Sequence, residues 1–218
     1  MTGPADPADP ASPADRTASR SRGSYAKGVA RRQEILDRAI EVFAQRGGSR
    51  TSLRAIAQEV GVTHAALTHY FGSLDELLVA VYREAARRGE GADAAPDAAR
   101  ADLPQTPAES MRSAAARNRA IPGMVELYST LVVSALDGDH PAAHAFVTDR
   151  FAALRVELAR QVTDLQAAGR IRRDVDPQLA AALVIAASDG LQSQWLLDAA
   201  VDHEAALALL DRLLAPPI

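Results

Sequence analysis

The sequence predicts an all-α protein, with an N-terminal helix-turn-helix three-helix domain joined to a C-terminal helical domain. Three observations predict it. Apolar side chains from residue 35 onward recur at helical rather than alternating spacing, so no strand pattern emerges. Hydrophobic residues make up 48% of the 218 residues but aromatic ones only 4%, so aliphatic side chains and alanine must fill the core. Glycines and prolines punctuate the periodic runs, with Gly61 and Gly169 at ends and Pro141 and Pro177 at starts.

Residues 1–24 repeat Pro, Ala and Asp and then turn to Arg and Ser. With so few apolar side chains they cannot offset ordering entropy, and a disordered tail is expected. The first helix carries Ile35, Leu36, Ala39, Ile40 and Phe43 on one stripe, with Gly47-Gly48 as its stop. Leu53, Ile56, Ala57 and Val60 make the buried face of a second helix, and Val62, Leu67 and Phe71 supply its partner. Small Ala57 lets two backbones approach, while Gly61 can take the left-handed conformation that ends the second helix and turns the chain. Thr63 is placed to cap the third helix, and Ser73-Leu74-Asp75-Glu76 is an S-x-x-E capping box opening the next, which runs to about residue 88.

Gly89, Gly91, Pro96, Pro104 and Pro107 then mark a connector, which divides the chain into domains at 25–88 and 89–218. Further helices are expected over about 108–120, 122–136, 141–168, 177–197 and 203–214, with Asp176 capping the fourth of these ahead of a first-turn proline. Phe146, Phe151, Leu154, Leu158, Val162 and Leu165 form one stripe of the long helix. Ala182, Ala186 and Gly190 recur at four-residue spacing beside Leu183, Leu191 and Trp195, which lets another helix, such as that of a second subunit, pack closely.

A unit of this kind lays the start of its second short helix in a DNA major groove, where each base pair presents a distinct donor and acceptor pattern. Residues 63–70 are the expected reading surface, because His64, Thr68, His69 and Tyr70 project away from Leu67 and Phe71. Net charge is -4, which by itself disfavours a nucleic-acid partner, but its distribution reverses the inference. Between Arg16 and Arg54 ten basic residues stand against three acidic ones, a balance of +7, leaving -11 for the rest of the chain. A basic DNA-binding end fused to an acidic body has this asymmetry.

On these residues the chain resembles the TetR family of transcriptional regulators. The family pattern of threonine, I-A-x-x-x-G-V-[ST], L-x-x-Y-F and an acidic helix start reads here as Thr51, Ile56-Ala57, Gly61-Val62-Thr63, Leu67, Tyr70-Phe71 and Asp75-Glu76-Leu77, within a likeness over residues 26–88. The resemblance implies base contacts at His64, Ala65 and Ala66 and backbone contacts at Thr51, Thr63, Thr68, His69 and Tyr70, with Ser52 and the upstream arginines adding to affinity. The sequence departs from the family at Ala65, Thr68 and Leu74, where glycine, tyrosine and lysine are usual. Two phosphate contacts are thereby weakened.

The resemblance further implies a homodimer on a palindromic operator, the last two long helices pairing with their copies, with Phe151, Leu158, Ala182, Ala186, Gly190 and Trp195 as interface candidates. It also implies a small-molecule effector pocket in the C-terminal domain, for which Met111, Arg117, Met124, Tyr128, Phe146 and Trp195 are the candidates. The expected protein is therefore a repressor released from its operator by a small molecule. A C-terminal domain that only dimerises or docks another protein is the alternative.

No catalysis, cofactor or metal is expected. Cysteine is absent, and no serine or threonine sits in a nucleophile-elbow or Walker sequence. His140 and His144, four apart near Asp137 and Asp139, lack a third ligand and are explained by a solvated helix start. The longest apolar run, at 179–187, is too short to span a bilayer, and MTGPADPADPASPAD has neither the basic nor the apolar segment of a signal peptide, so a soluble cytoplasmic protein is expected.

Overall fold

The computed structural model describes residues 13–46, 53–92 and 105–217. Its elements are α1 (Pro13–Arg46), α2 (Leu53–Val60), α3 (His64–Phe71), α4 (Leu74–Ala92), α5 (Pro107–Ala120), α6 (Met124–Asp137), α7 (Pro141–Ala167), α8 (Pro177–Leu197) and α9 (His203–Leu214). Among the described residues every regular element is a helix. Two boundaries differ from expectation. Helix α1 begins at Pro13, so residues 13–24 extend it rather than forming a disordered tail; Pro13 suits a first turn, and the alanines and arginines that follow are good helix formers. The remainder of the expected tail, residues 1–12, lies outside the described residues. Helix α4 continues through Gly89 and Gly91 instead of stopping before them.

Several helix ends follow the sequence closely. Thr63 Oγ1 accepts the Ala66 N–H at 3.1 Å, and Asp176 Oδ1 accepts those of Gln178 and Leu179 at 2.8 and 2.9 Å. Helix α5 opens on a full capping box between Thr106 and Glu109, a T-x-x-E signal that the sequence carries and that the expectations above do not include. At Ser73 only half of the expected box forms. Its hydroxyl accepts the Glu76 N–H at 3.2 Å, but its own N–H goes to the Phe71 carbonyl at 2.8 Å.

Two buried clusters hold the molecule together. One contains Ile35, Phe43, Ile56, Leu67, Phe71, Leu77 and Val81 of α1–α4 and continues into Met124, Leu127, Tyr128, Leu131 and Phe146 of α6 and α7. The other joins α5, the second half of α7, α8 and α9 around Leu158, Val162, Leu165, Ala181, Val184 and Leu207. The N-terminal helices therefore share a core with α6 and α7, and a boundary near residue 88 cuts across packing rather than between two packed bodies. At this junction Gly123 has φ +75, and a Cβ there would lie 2.3 Å from the Phe43 carbonyl oxygen, so glycine lets the α5–α6 turn rest on α1.

Candidate nucleic-acid interface

The turn between α2 and α3 is built by a Schellman motif. Val62 N–H donates to the Ala57 carbonyl at 2.9 Å and Gly61 N–H to the Gln58 carbonyl at 3.3 Å, with Gly61 at φ +71. Arg38 on α1 adds a hydrogen bond from Nη1 to the Val60 carbonyl at 2.9 Å, placing a cation at the negative end of α2. Leu67 and Phe71 are buried and the Arg32 guanidinium lies 4.6 Å over the Phe71 ring, so α3 is anchored along one side.

The opposite side of α3 faces solvent. His64, Ala65, Thr68 and His69 are exposed, Ala66 and Tyr70 are half-buried, and the rings of His69 and Tyr70 meet edge to face at 5.2 Å. Thr63 is exposed as well, its oxygen occupied by the cap. The Thr68 hydroxyl donates to the His64 carbonyl at 3.0 Å, so donating to a phosphate requires this exposed side chain to turn away from its own helix. Thr51 and Ser52 lie outside the described residues.

Behind the interface, α4 is tied to α1 by a polar network. Glu84 accepts from Arg87, Arg88 and Gln33, and Asp37 accepts from Gln33 and pairs with Arg88. The Arg87 hydrogen bond, with help from Arg88, holds the Glu84 carboxyl down at about 2, against the upward push of burial. Asp75, at the start of α4, is 3% exposed and accepts the N–H groups of Ala142 and Ala143 at 2.9 and 3.4 Å. These are donors of the first turn of α7, whose own cap residue, His140, makes no side-chain cap. Burial raises the Asp75 pKa, but hydrogen bonds from Ser73, Ala142 and Ala143 outweigh it and keep the carboxyl below its ordinary range.

The C-terminal candidates fall in different places. Tyr128 and Phe146 are buried and come together with Tyr82 of α4, at 5.7 Å from Tyr128 and 5.3 Å from Phe146 between ring centroids. Met124 lies in the same core, and Met111 in the other. Arg117 is exposed on α5, so the expectation that it faces an interior pocket is corrected. Trp195 is half-buried beside a cleft of about 390 Å³ that also holds Arg119 and His203.

Among the interface candidates Ala182, Ala186 and Gly190 are exposed and Phe151 is half-buried. Leu158 is 2% exposed in the protomer's own core, which corrects its place on a partner-facing stripe; the helical turn directs it to α8 and leaves Val156, two residues earlier, 69% exposed. Sequence reasoning also passed over Arg150 and Asp189, polar residues on otherwise alanine-rich helices. Among the described residues, no helix is long and apolar enough to cross a membrane.

Comparison with known proteins decides the family. The model for bacterial regulatory proteins of the tetR family matches residues 35–81, and that for the C-terminal domain of BetI-type transcriptional repressors matches residues 138–216. The chain belongs to the TetR family. The crystal structure of the multidrug binding protein EbrR in complex with imidazole is 31% identical, at TM-score 0.52, over 86% of this chain and 92% of that one. The HTH-type transcriptional regulator BetI of Brucella anthropi is 42% identical over 57 residues, 26% of this chain and 29% of that protein, so the match spans less than a third of that curated relative. A regulator from Saccharomonospora viridis in complex with choline, 18% identical over 85% of this chain and 95% of that one at TM-score 0.61, shares the fold of this TetR-family member.

Proposed function

We propose that this chain is a sequence-specific DNA-binding repressor, acting as a homodimer on a palindromic operator and released by a small molecule. The observation that carries it is the exposed side of α3, with His64, Ala65, Thr68 and His69 facing outward from a helix locked by buried Leu67 and Phe71. His64, Ala65 and Ala66 read bases, while Tyr70 and the arginines of α1 hold phosphates. Thr51, Ser52, Thr63, Thr68 and His69 complete the expected backbone contacts.

The dimer reading rests on an apolar face of α7 and α8. Val156, Leu179 and Leu183 are 69%, 71% and 56% exposed, and the exposed small residues Ala182, Ala186 and Gly190 continue the same α8 stripe. Aliphatic side chains gathered this way are stabilised when covered, and a second copy supplies a matching face. EbrR and the Saccharomonospora protein carry small molecules in their structures, which supports a ligand in the helical body behind α4.

Release requires that the effector bind one arrangement of the two reading helices better than the other. By linkage, an effector that weakens operator binding by some factor must itself bind more weakly to the DNA complex by the same factor. Measuring effector affinity with and without operator tests this; equal affinities would remove the coupling.

A further inference from the structure

The most unusual chemistry outside the DNA interface is a half-buried arginine and a half-buried carboxylate set against aromatic rings. Arg150 of α7 places its guanidinium carbon 5.1 Å from the Tyr128 ring centroid and 5.8 Å from that of Tyr82. The Tyr128 hydroxyl donates to Asp189 Oδ2 at 3.3 Å, and the Phe146 ring meets Tyr82 edge-on. Four helices contribute to this box: α4, α6, α7 and α8.

Arg150 is held unevenly in the box. Its 5.8 Å distance from the Tyr82 centroid is near the outer limit of a productive cation–π contact, while the 5.1 Å distance from Tyr128 lies within it. Its buried Nε has no acceptor among the described residues, and the Tyr128–Asp189 bond is long for one to a carboxylate. Burial pushes the Asp189 carboxyl above its usual range, more than the Tyr128 hydrogen bond and the Arg150 charge draw it down. Asp189 is therefore incompletely compensated by its tethered partner. Beside Arg150 opens a cleft of about 470 Å³, walled by Phe146 and Leu154 and carrying the Arg83 guanidinium, the Asp149 carboxylate and that of Glu157, which already pairs with Arg160 at 2.7 Å.

We propose that this box binds a planar organic cation of the amidinium or guanidinium class, which enters through the cleft and takes the place of Arg150 over Tyr128 and beside Asp189. Arg150 then turns outward to Asp149, so the charge of the box is unchanged by the exchange. A planar N–H donor satisfies both the ring faces and the carboxylate. A quaternary ammonium can stack but cannot donate to Asp189. The proposal rests on the ligand-released reading above and gives that ligand its chemistry. Arg150 touches Tyr82 of α4, so displacing it removes a contact between α7 and the helix that follows the reading helix.

The test is calorimetric titration of the full chain with benzamidine, protonated at neutral pH, alongside benzoate and tetramethylammonium. Benzamidinium is expected to bind and to shift the Arg150 Nε–H resonance of the unaltered protein, with the other two probes binding more weakly by about tenfold or more. Arg150→Met, which removes the internal competitor, is expected to bind benzamidinium more tightly, and Asp189→Asn more weakly. Benzoate preferred over benzamidinium, weaker binding by Arg150→Met, or an unmoved Arg150 resonance at millimolar benzamidinium would each overturn the proposal. The resonance test covers the case in which a variant does not fold. Binding that leaves operator affinity unchanged would uphold the site and defeat ligand release; operator release by another compound without benzamidinium binding would do the reverse.

Discussion

The carboxylate of Asp75, at the start of α4, accepts the backbone N–H of Ala142 at 2.9 Å and thereby caps α7 from a different part of the chain. The helix that follows the reading helix is thus fixed to the first turn of the long helix that bears the exposed apolar face. Removing the carboxylate strands two donors at a buried helix end. Asp75→Ala is expected to destabilise the fold by about 1–2 kcal/mol in urea denaturation. Its operator affinity should fall more than that of an equally destabilised core variant, because the position of α3 relative to α7 is loosened.

The acid limb of stability should carry the signature of Glu84. Its pKa is depressed from 4.5 to about 2 by the hydrogen bonds of Arg87 and then Arg88. A depressed carboxylate contributes stability that is present above its unfolded pKa and lost as pH falls toward the folded one. Melting temperature should therefore drop between about pH 4.5 and 2, with a smaller drop for Glu84→Gln. Added salt should shrink the difference, since the Arg87 and Arg88 side chains are 69% and 42% exposed.

Gly123 tolerates no side chain. Its φ of +75 opposes substitution, and so does the Phe43 carbonyl oxygen, which would stand 2.3 Å from any Cβ placed there. Gly123→Ala should cost at least about 1–3 kcal/mol, measured by chemical denaturation, and a neutral result would show that the α5–α6 turn does not rest on α1.

Two residues of α3 should respond differently to truncation. Tyr70→Ala should weaken binding similarly on all sequences and lower its salt dependence little, because a tyrosine carries no charge to release counterions. His64→Ala should relax discrimination at one base position. Competition assays on a set of single-base operator variants distinguish them, and uniform losses in both would mean that His64 reads no base.

The apolar face of α7 and α8 predicts the assembly state. Leu183→Glu places a charge in the middle of the exposed stripe and should convert a dimer to a monomer in sedimentation equilibrium while leaving the helical circular dichroism unchanged. An unaltered dimer would move the interface elsewhere.

Much of this architecture was legible in the sequence because its signals are local. Gly61, Thr63 and Asp176 announce their turns and caps, and α8 and α9 occupy the residues expected from Pro177 and His203. What was not legible depends on contacts distant in sequence. No local pattern says that Asp75 caps α7, that Arg150 reaches Tyr82, or that Gly123 meets Phe43. The long helix α7 hid its own orientation, because apolar residues surround much of it: Leu158 turns inward while Val156 turns out. Composition also misled at the N-terminus, where a polar, alanine- and arginine-rich stretch reads equally as a tail or as the extension of α1 that it forms.

Whether α3 reads DNA as one half of a symmetric pair can be measured without any knowledge of the effector, by selecting bound sites from random duplexes at fixed, near-physiological salt. A two-fold symmetric consensus is expected, with half-site centres about one helical turn, roughly 34–36 Å, apart. Enrichment of a single asymmetric half-site, or of nothing, would contradict a dimeric repressor reading DNA through α3.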